Sequence, residues 1–211
     1  MSDLYDAVLN GDAKAAAEAT RKALEGGAAA LELVQREMVP AMDEGGRRFE
    51  CEDYFVPELL LSARAMKAAL GLIRPLLTAS GAQPAGRVVI GTVKGDLHDI
   101  GKNLVASLLE GGGFEVIDLG ADVSPDRFVE AVRANAANLV CVSALLTVTM
   151  PGMKTVVQAM DAAGLRPRTK VMVGGAPVTQ RFADEIGADG YGENAAVAVA
   201  IARKLMAAQA A

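Results

Sequence analysis

The sequence predicts an α/β protein: an N-terminal helical bundle followed by a doubly wound, Rossmann-like (flavodoxin-like) parallel-sheet domain. Three observations predict it. Residues 1–79 carry apolar side chains at three-to-four spacing and contain nothing that reads as a strand. Residues 80–86, SGAQPAG, form a linker of small residues with one proline. After them, short β-branched runs alternate five times with helical patterns, which implies parallel strands with helices on both faces. The domains are therefore read as 1–79, a linker at 80–86, and 87–211.

In the first domain, SDLYDAVLNGD offers Ser2 as an N-cap and Gly11 as a stop. The Ala-rich stretch DAKAAAEATRKALEGG is a second helix closed by Gly26 and Gly27. ALELVQREMVPAMDEGGRRFE continues the pattern with a kink expected at Pro40. YFVPELLLSARAMKAALGLIRPLLTA closes a bundle of four or five short helices. In the second domain RVVIGTV is a buried strand and KNLVASLLEGG a helix, followed by the strand FEVIDLG. SPDRFVEAVRANA starts a helix with Ser124 as N-cap, Pro125 in first position and Asp126 in the first turn. LVCVSAL, KVMVGG and a short DGYG are the remaining strands, with helices at MPGMKTVVQAMDAAG, TQRFADEIG and AAVAVAIARKLMAAQ.

Composition narrows the function. With 52 % hydrophobic and 22 % charged residues the chain can bury a real core. Aromatics make up only 4 %, without Trp, which argues against a base-stacking surface. A net charge of −5 and the lack of a basic run leave no footprint for a phosphate backbone, so no nucleic-acid partner is expected. No signal segment and no membrane-length apolar run is visible, and the expected location is the cytoplasm, away from membranes. Cys51 and Cys141 fit neither a disulfide framework nor a CxxC pattern, and a single histidine cannot complete a structural zinc site.

That histidine, His98, lies in GTVKGDLHDIGKN, directly after the first strand of the sheet. Ligands of doubly wound domains bind at the carboxyl ends of the strands, so the loop belongs to the functional edge. Gly95 permits a strained turn, and Gly101 allows close approach to the next helix. Asp96 is placed to take the proton of one imidazole nitrogen, an arrangement that orients either a metal ligand or a general base. The structural alternative is a histidine at a helix N-terminus satisfied by Asp96 or Asp99. Other strand ends are small or polar as well: Ser143, Thr147 and Thr149 in SALLTVT, Gly174 and Gly175 in GGAP, and YGEN after the fifth strand. Together they suggest a deep slot beside the sheet. No phosphate-loop motif is complete.

Asp96-x-His98-x-x-Gly101, Ser143-x-Leu145 and Gly174-Gly175 resemble the three-part signature of cobalamin-binding Rossmann-like domains. The preceding bundle resembles the cap domain of cobalamin-dependent methionine synthase. The whole chain is similar to freestanding corrinoid proteins of methyltransferase systems that use methanol, methylamines, betaines or methoxyaromatics. This resemblance implies cobalamin or a related corrinoid as cofactor, base-off/His-on, with His98 as the lower axial ligand of cobalt. It implies that Asp96 and Thr149 continue the hydrogen-bond line behind His98, Thr149 standing where related domains have Ser. Gly95, Leu97, Asp99, Ile100 and Gly101 would contact the cofactor around His98. Ser143, Leu145 and Thr147 would face the nucleotide tail and lower base. Gly174, Gly175 and Ala176 would wall the tail pocket, with Gly192, Asn194 and Ala195 at its far end. In the cap, Phe49 and Val56 would cover the upper corrin face, Val56 replacing a leucine, and the cap would move about residues 80–86.

The implied function is that of a non-catalytic methyl carrier. It would accept a methyl group on cobalt from a substrate-specific methyltransferase and donate it to a methyl-accepting methyltransferase, with a reductive activation protein as a further partner. No residue pattern here could activate a methyl donor alone. A corrinoid-sensing regulatory module is the alternative, although the chain has neither room nor basic charge for a DNA-binding domain. A receiver-like or flavin-binding protein of the same fold is a third reading. By spacing alone Phe49, Tyr54, Phe55 and Met66 read as bundle core rather than cofactor lid, the nine methionines read mostly as core filler, and RKALE and DEGGRR read as solvated helix faces.

Overall fold

The computed structural model describes residues 2–79 and 84–210; of the linker 80–86, residues 80–83 lie outside them. The chain divides into two compact units, Met1–Pro84 with Ser107–Gly113, and Ala85–Ala106 with Phe114–Ala211.

The first unit is built from helices α1 (Asp3–Leu9), α2 (Ala13–Glu25), α3 (Ala30–Leu33), α4 (Val39–Glu50) and α5 (Val56–Ala79). Ser2 caps α1, its hydroxyl accepting the Tyr5 N–H at 3.2 Å, and the Asp12 carboxylate caps α2. Gly11 turns the chain between them at φ +74°, where a β-carbon would lie 2.4 Å from that of Leu61, so only glycine fits. The kink expected at Pro40 takes a specific form. Residues Val34–Met38 widen into a π turn in which the Val39 N–H reaches back to the Val34 carbonyl. The extra residue absorbs the hydrogen bond that Pro40 cannot donate. Met38, Leu59, Met66 and Ile73 are fully buried, and the Ser62 hydroxyl donates to the Leu9 carbonyl at 2.7 Å. Met66 is thus core, but Phe55, in the segment directly before α5, is 63 % exposed.

The second unit centres on β1 (Arg87–Thr92), β2 (Glu115–Asp118), β3 (Leu139–Ser143), β4 (Lys170–Gly174) and β5 (Gly190–Gly192). Every pairing is parallel and the order is β2-β1-β3-β4-β5. Strands β1, β3 and β4 are buried almost throughout, whereas β2 is the more exposed edge. Helices α6 (Ile100–Gly111), α7 (Pro125–Asn135), α8 (Pro151–Ala162), α9 (Gln180–Ile186) and α10 (Ala195–Ala210) connect and close the sheet. Phe128 of α7 is fully buried, worth roughly 2–3 kcal/mol of apolar burial. Its ring lies where a β-carbon on Gly91 of β1 would be, 2.9 Å away. Ser124 precedes α7 as read from the sequence, but its hydroxyl makes no capping bond; the Arg127 N–H that it could have taken donates to the Ser124 carbonyl instead, at 3.1 Å. Among the described residues no helix is long and apolar enough to cross a membrane.

Candidate functional site

In the order β2-β1-β3-β4-β5 the sequence of strand addition switches sides between β1 and β3. The crevice of such a sheet opens outside the carboxyl ends of those two strands. The loops that follow them carry His98 and Thr149.

The β1–α6 loop has no regular structure from Asp96 to Asp99. Gly95 begins it at φ +83°, and its N–H donates to Asp122 Oδ1 at 2.8 Å. Lys94 Nζ lies 2.9 Å from the other Asp122 oxygen. At the far end Lys102 buries its ammonium in an ion pair with Asp118, 2.6 Å away, fixing the first turn of α6 to the end of β2.

Asp96 is fully buried between the two loops. Its Oδ2 accepts the Leu145 N–H at 2.8 Å, the Leu146 N–H at 3.3 Å and the Thr149 hydroxyl at 2.7 Å. Its Oδ1 lies 3.1 Å from the His98 backbone nitrogen and 2.7 Å from His98 Nδ1. Burial alone would raise this carboxyl, but the hydrogen bonds from Thr149, Leu145 and His98 outweigh it and hold it well below the usual carboxylate range. An ionised carboxylate only accepts, so Nδ1 carries a proton in this pair, and it is Nε2 that can offer a lone pair to a metal. The His98 side chain is half exposed. Leu97, Ile100 and Val148 are each more than three-quarters exposed, and Leu145 and Leu146 about two-fifths. Exposed apolar side chains on the two loops that hold one oriented imidazole suit a ligand with a large apolar face.

The donor set sharpens this. Among the described residues no group of three or more His, Cys, Asp or Glu could hold a metal ion. One imidazole backed by a carboxylate suits a transition metal that arrives with its other ligands attached, as in a macrocycle.

Residues 86–200 match the family described as "B12 binding domain", and residues 2–74 match a second family of the same description. The chain belongs to the B12-binding proteins. It is 41 % identical over 209 residues to the dimethylamine corrinoid protein of Methanosarcina barkeri, covering 98 % of this chain and 97 % of that one. It is 44 % identical over 191 residues to trimethylamine corrinoid protein 2 of Methanosarcina mazei, covering 90 % and 88 %. Among solved structures it superposes on a cobalamin-binding protein from Desulfitobacterium hafniense with a TM-score of 0.79 at 34 % identity, covering 96 % of both chains. The methanol:cobalamin methyltransferase complex of Methanosarcina barkeri gives a TM-score of 0.84 at 31 % identity, covering 97 % of this chain and 78 % of that one.

Within this B12-binding protein, Asp96, His98, Leu145 and Thr149 are joined by direct hydrogen bonds. Asp99 is exposed and accepts from the Asn103 amide rather than from His98. Gly101 faces open space. Ser143 ends β3 in register with Gly174, while Thr147 and Ala176 are exposed in the loops beyond. The glycines of the β4 and β5 ends have a cause inside the protein. A β-carbon on Gly174 would lie 2.9 Å from the Gly192 carbonyl oxygen, and one on Gly175 would lie 2.0 Å from that of Ala144. They let neighbouring strand ends approach, before any ligand is considered. Asn194 uses its side-chain oxygen to cap α10, accepting the Val197 N–H at 2.8 Å, and Ala195 is buried. In the helical unit Phe49 is partly buried and Val56 is 40 % exposed. Sequence reasoning missed Leu146, Val148, Asp122 and Thr92. Leu146 and Val148 were legible as apolar residues past a strand end, where no core remains to bury them.

Proposed function

We propose that this B12-binding protein is a cytoplasmic methyl carrier. A substrate-specific methyltransferase loads it, a methyl-accepting methyltransferase unloads it, and a reductive activation protein restores it. The observation that carries this reading is the imidazole of His98, oriented by Asp96 on a loop whose neighbouring apolar side chains are exposed. The bound corrinoid supplies a cobalt centre that takes up and releases a methyl group. His98 Nε2 would hold the cobalt in place of the cofactor's own base, the base-off/His-on arrangement. Asp96 would fix the Nδ1 proton and Thr149 would hold Asp96 in place, so that the pair could keep hold of the imidazole proton whether or not His98 is bound to the metal. Gly95, Leu97, Asp99, Ile100 and Gly101 line the ligand near His98. Ser143, Leu145, Thr147, Gly174, Gly175, Ala176, Gly192, Asn194 and Ala195 form the path of the nucleotide tail, and Phe49 and Val56 shield the corrin. Relatives named for dimethylamine and trimethylamine, and the likeness to a methanol:cobalamin methyltransferase complex, support a methylamine or methanol as the methyl source.

The test is an isotope experiment. Corrinoid-loaded, reduced protein is incubated with extract of its own cells and carbon-labelled methanol or methylamines, then separated by gel filtration. Label that travels with the chain supports the carrier. Stoichiometric corrinoid without label from any donor would make the chain a corrinoid sensor instead.

A further inference from the structure

The loop that carries His98 has almost no apolar anchorage. Leu97 and Ile100, on either side of it, are both 77 % exposed, and His98 is half in solvent. Polar ties must therefore hold its main chain. On the His98 side, Asp96 Oδ1 takes both the backbone N–H and Nδ1. The His98 carbonyl is held by a residue of the sheet: the Thr92 hydroxyl donates to it at 2.9 Å. Thr92 is the last residue of β1 and fully buried. Its backbone is already committed, the N–H to the Gly120 carbonyl at 3.0 Å and the carbonyl to the Val123 N–H at 2.9 Å. Its hydroxyl is the one polar group left to place, and a buried hydroxyl needs a partner.

We infer that Thr92 is a positioning residue for His98: its hydroxyl fixes the His98 main chain to the rigid end of β1 and so sets where the imidazole stands. This rests on the reading of His98 as axial ligand for its effect on ligation, but not for the tie itself. Asp96 controls the ring and its proton; Thr92 controls the backbone from which the ring hangs.

Thr92→Val removes the hydroxyl while keeping a β-branched side chain of the same shape in a strand, and Thr92→Ser keeps the hydroxyl. Two readouts separate the cases. In the corrinoid-free protein the sole imidazole gives isolated nitrogen and carbon resonances. Thr92→Val is expected to shift them toward tautomer averaging, and Thr92→Ser to leave them as in wild type. In protein loaded with cobalamin and reduced to Co(II), the ratio of histidine-ligated to unligated cobalt, read by electron paramagnetic resonance, is expected to fall about five-fold in Thr92→Val and to recover in Thr92→Ser, the size expected for one net hydrogen bond. If Thr92→Val does not fold, Thr92→Ala enters the same comparison. Unchanged imidazole resonances in the variant lacking the hydroxyl overturn the inference, as does an equal loss in Thr92→Ser. If wild type itself shows no histidine nitrogen on cobalt, the axial-ligand reading fails while the resonances of the corrinoid-free protein still decide whether Thr92 positions His98.

Discussion

Asp96→Asn is expected to move the proton of the sole imidazole from Nδ1 to Nε2, and with it to remove the lone pair that His98 would offer a metal. The carboxylate receives donors on both oxygens: Leu145 N–H, Leu146 N–H and the Thr149 hydroxyl on one, His98 N–H and Nδ1 on the other. An amide has only one acceptor oxygen. Turning it toward His98 would set its NH2 against two backbone donors, whereas turning it toward Leu145 opposes only one. The second orientation wins, so the NH2 faces His98 and Nδ1 must accept from it. The stranded His98 N–H costs about 1–3 kcal/mol of stability, and axial ligation should weaken about ten- to a hundred-fold. Nitrogen-15 resonances of labelled histidine read the tautomer directly, and a wild-type pattern in the variant would refute the argument. The acid behaviour follows from the depressed carboxyl of Asp96. Its stabilisation is fully present above the unfolded value of about 3.9 and is lost as pH falls through the lower folded value, so the two melting temperatures should converge in strong acid.

Gly175→Ala should have the largest effect on stability. The residue sits at φ +133°, and the added carbon would lie 2.0 Å from the Ala144 carbonyl oxygen, a backbone atom that cannot swing aside. Ala144 in turn donates its N–H to the Gly174 carbonyl, so moving it loosens the β3 and β4 ends together. A non-glycine residue in such a conformation costs on the order of 1–3 kcal/mol before the clash is counted, and the sum should exceed about 3 kcal/mol. Chemical denaturation measures it. Because the Ala144 turn leads into the loop that supplies the Asp96 donors, corrinoid affinity should fall as well. A variant as stable as wild type would mean that the strand ends are not packed this closely. By contrast, Gly101→Ala meets open space and should be tolerated by the fold.

The elements were largely legible because local signals agreed with one another: β-branched runs for the strands, Ser2 and Gly26 at helix ends, Pro125 at a helix start. Where two signals competed, the sequence could not decide. Pro40 announced a disturbance, but whether it bends or widens a helix depends on tertiary packing. Phe55 looked like the buried Met66 because helical spacing does not say where a helix begins, and it falls one residue before α5. The Asp96–His98 pair was readable from a two-residue spacing, and Thr149 from the resemblance. Thr92 and Asp122 were not, because their roles arise from contacts across the sheet edge: a strand end reaching forward to His98, and the β2–α7 loop reaching back to Gly95. The glycines of the β4 and β5 ends were read as room for a ligand; the distances to Gly192 and Ala144 give them a second duty, in the fold itself, which the sequence could not show.

The central claim is that His98 Nε2 binds the metal of a corrinoid, and the uniqueness of this histidine makes one measurement decisive. Protein grown with nitrogen-15 histidine is loaded with cobalamin containing ordinary nitrogen, reduced to Co(II) and examined by electron paramagnetic resonance. Ligation by His98 predicts that each cobalt line, split into a triplet in unlabelled protein, becomes a doublet in labelled protein. A triplet that persists after labelling would mean that the axial nitrogen belongs to the cofactor's own base, and would contradict the account.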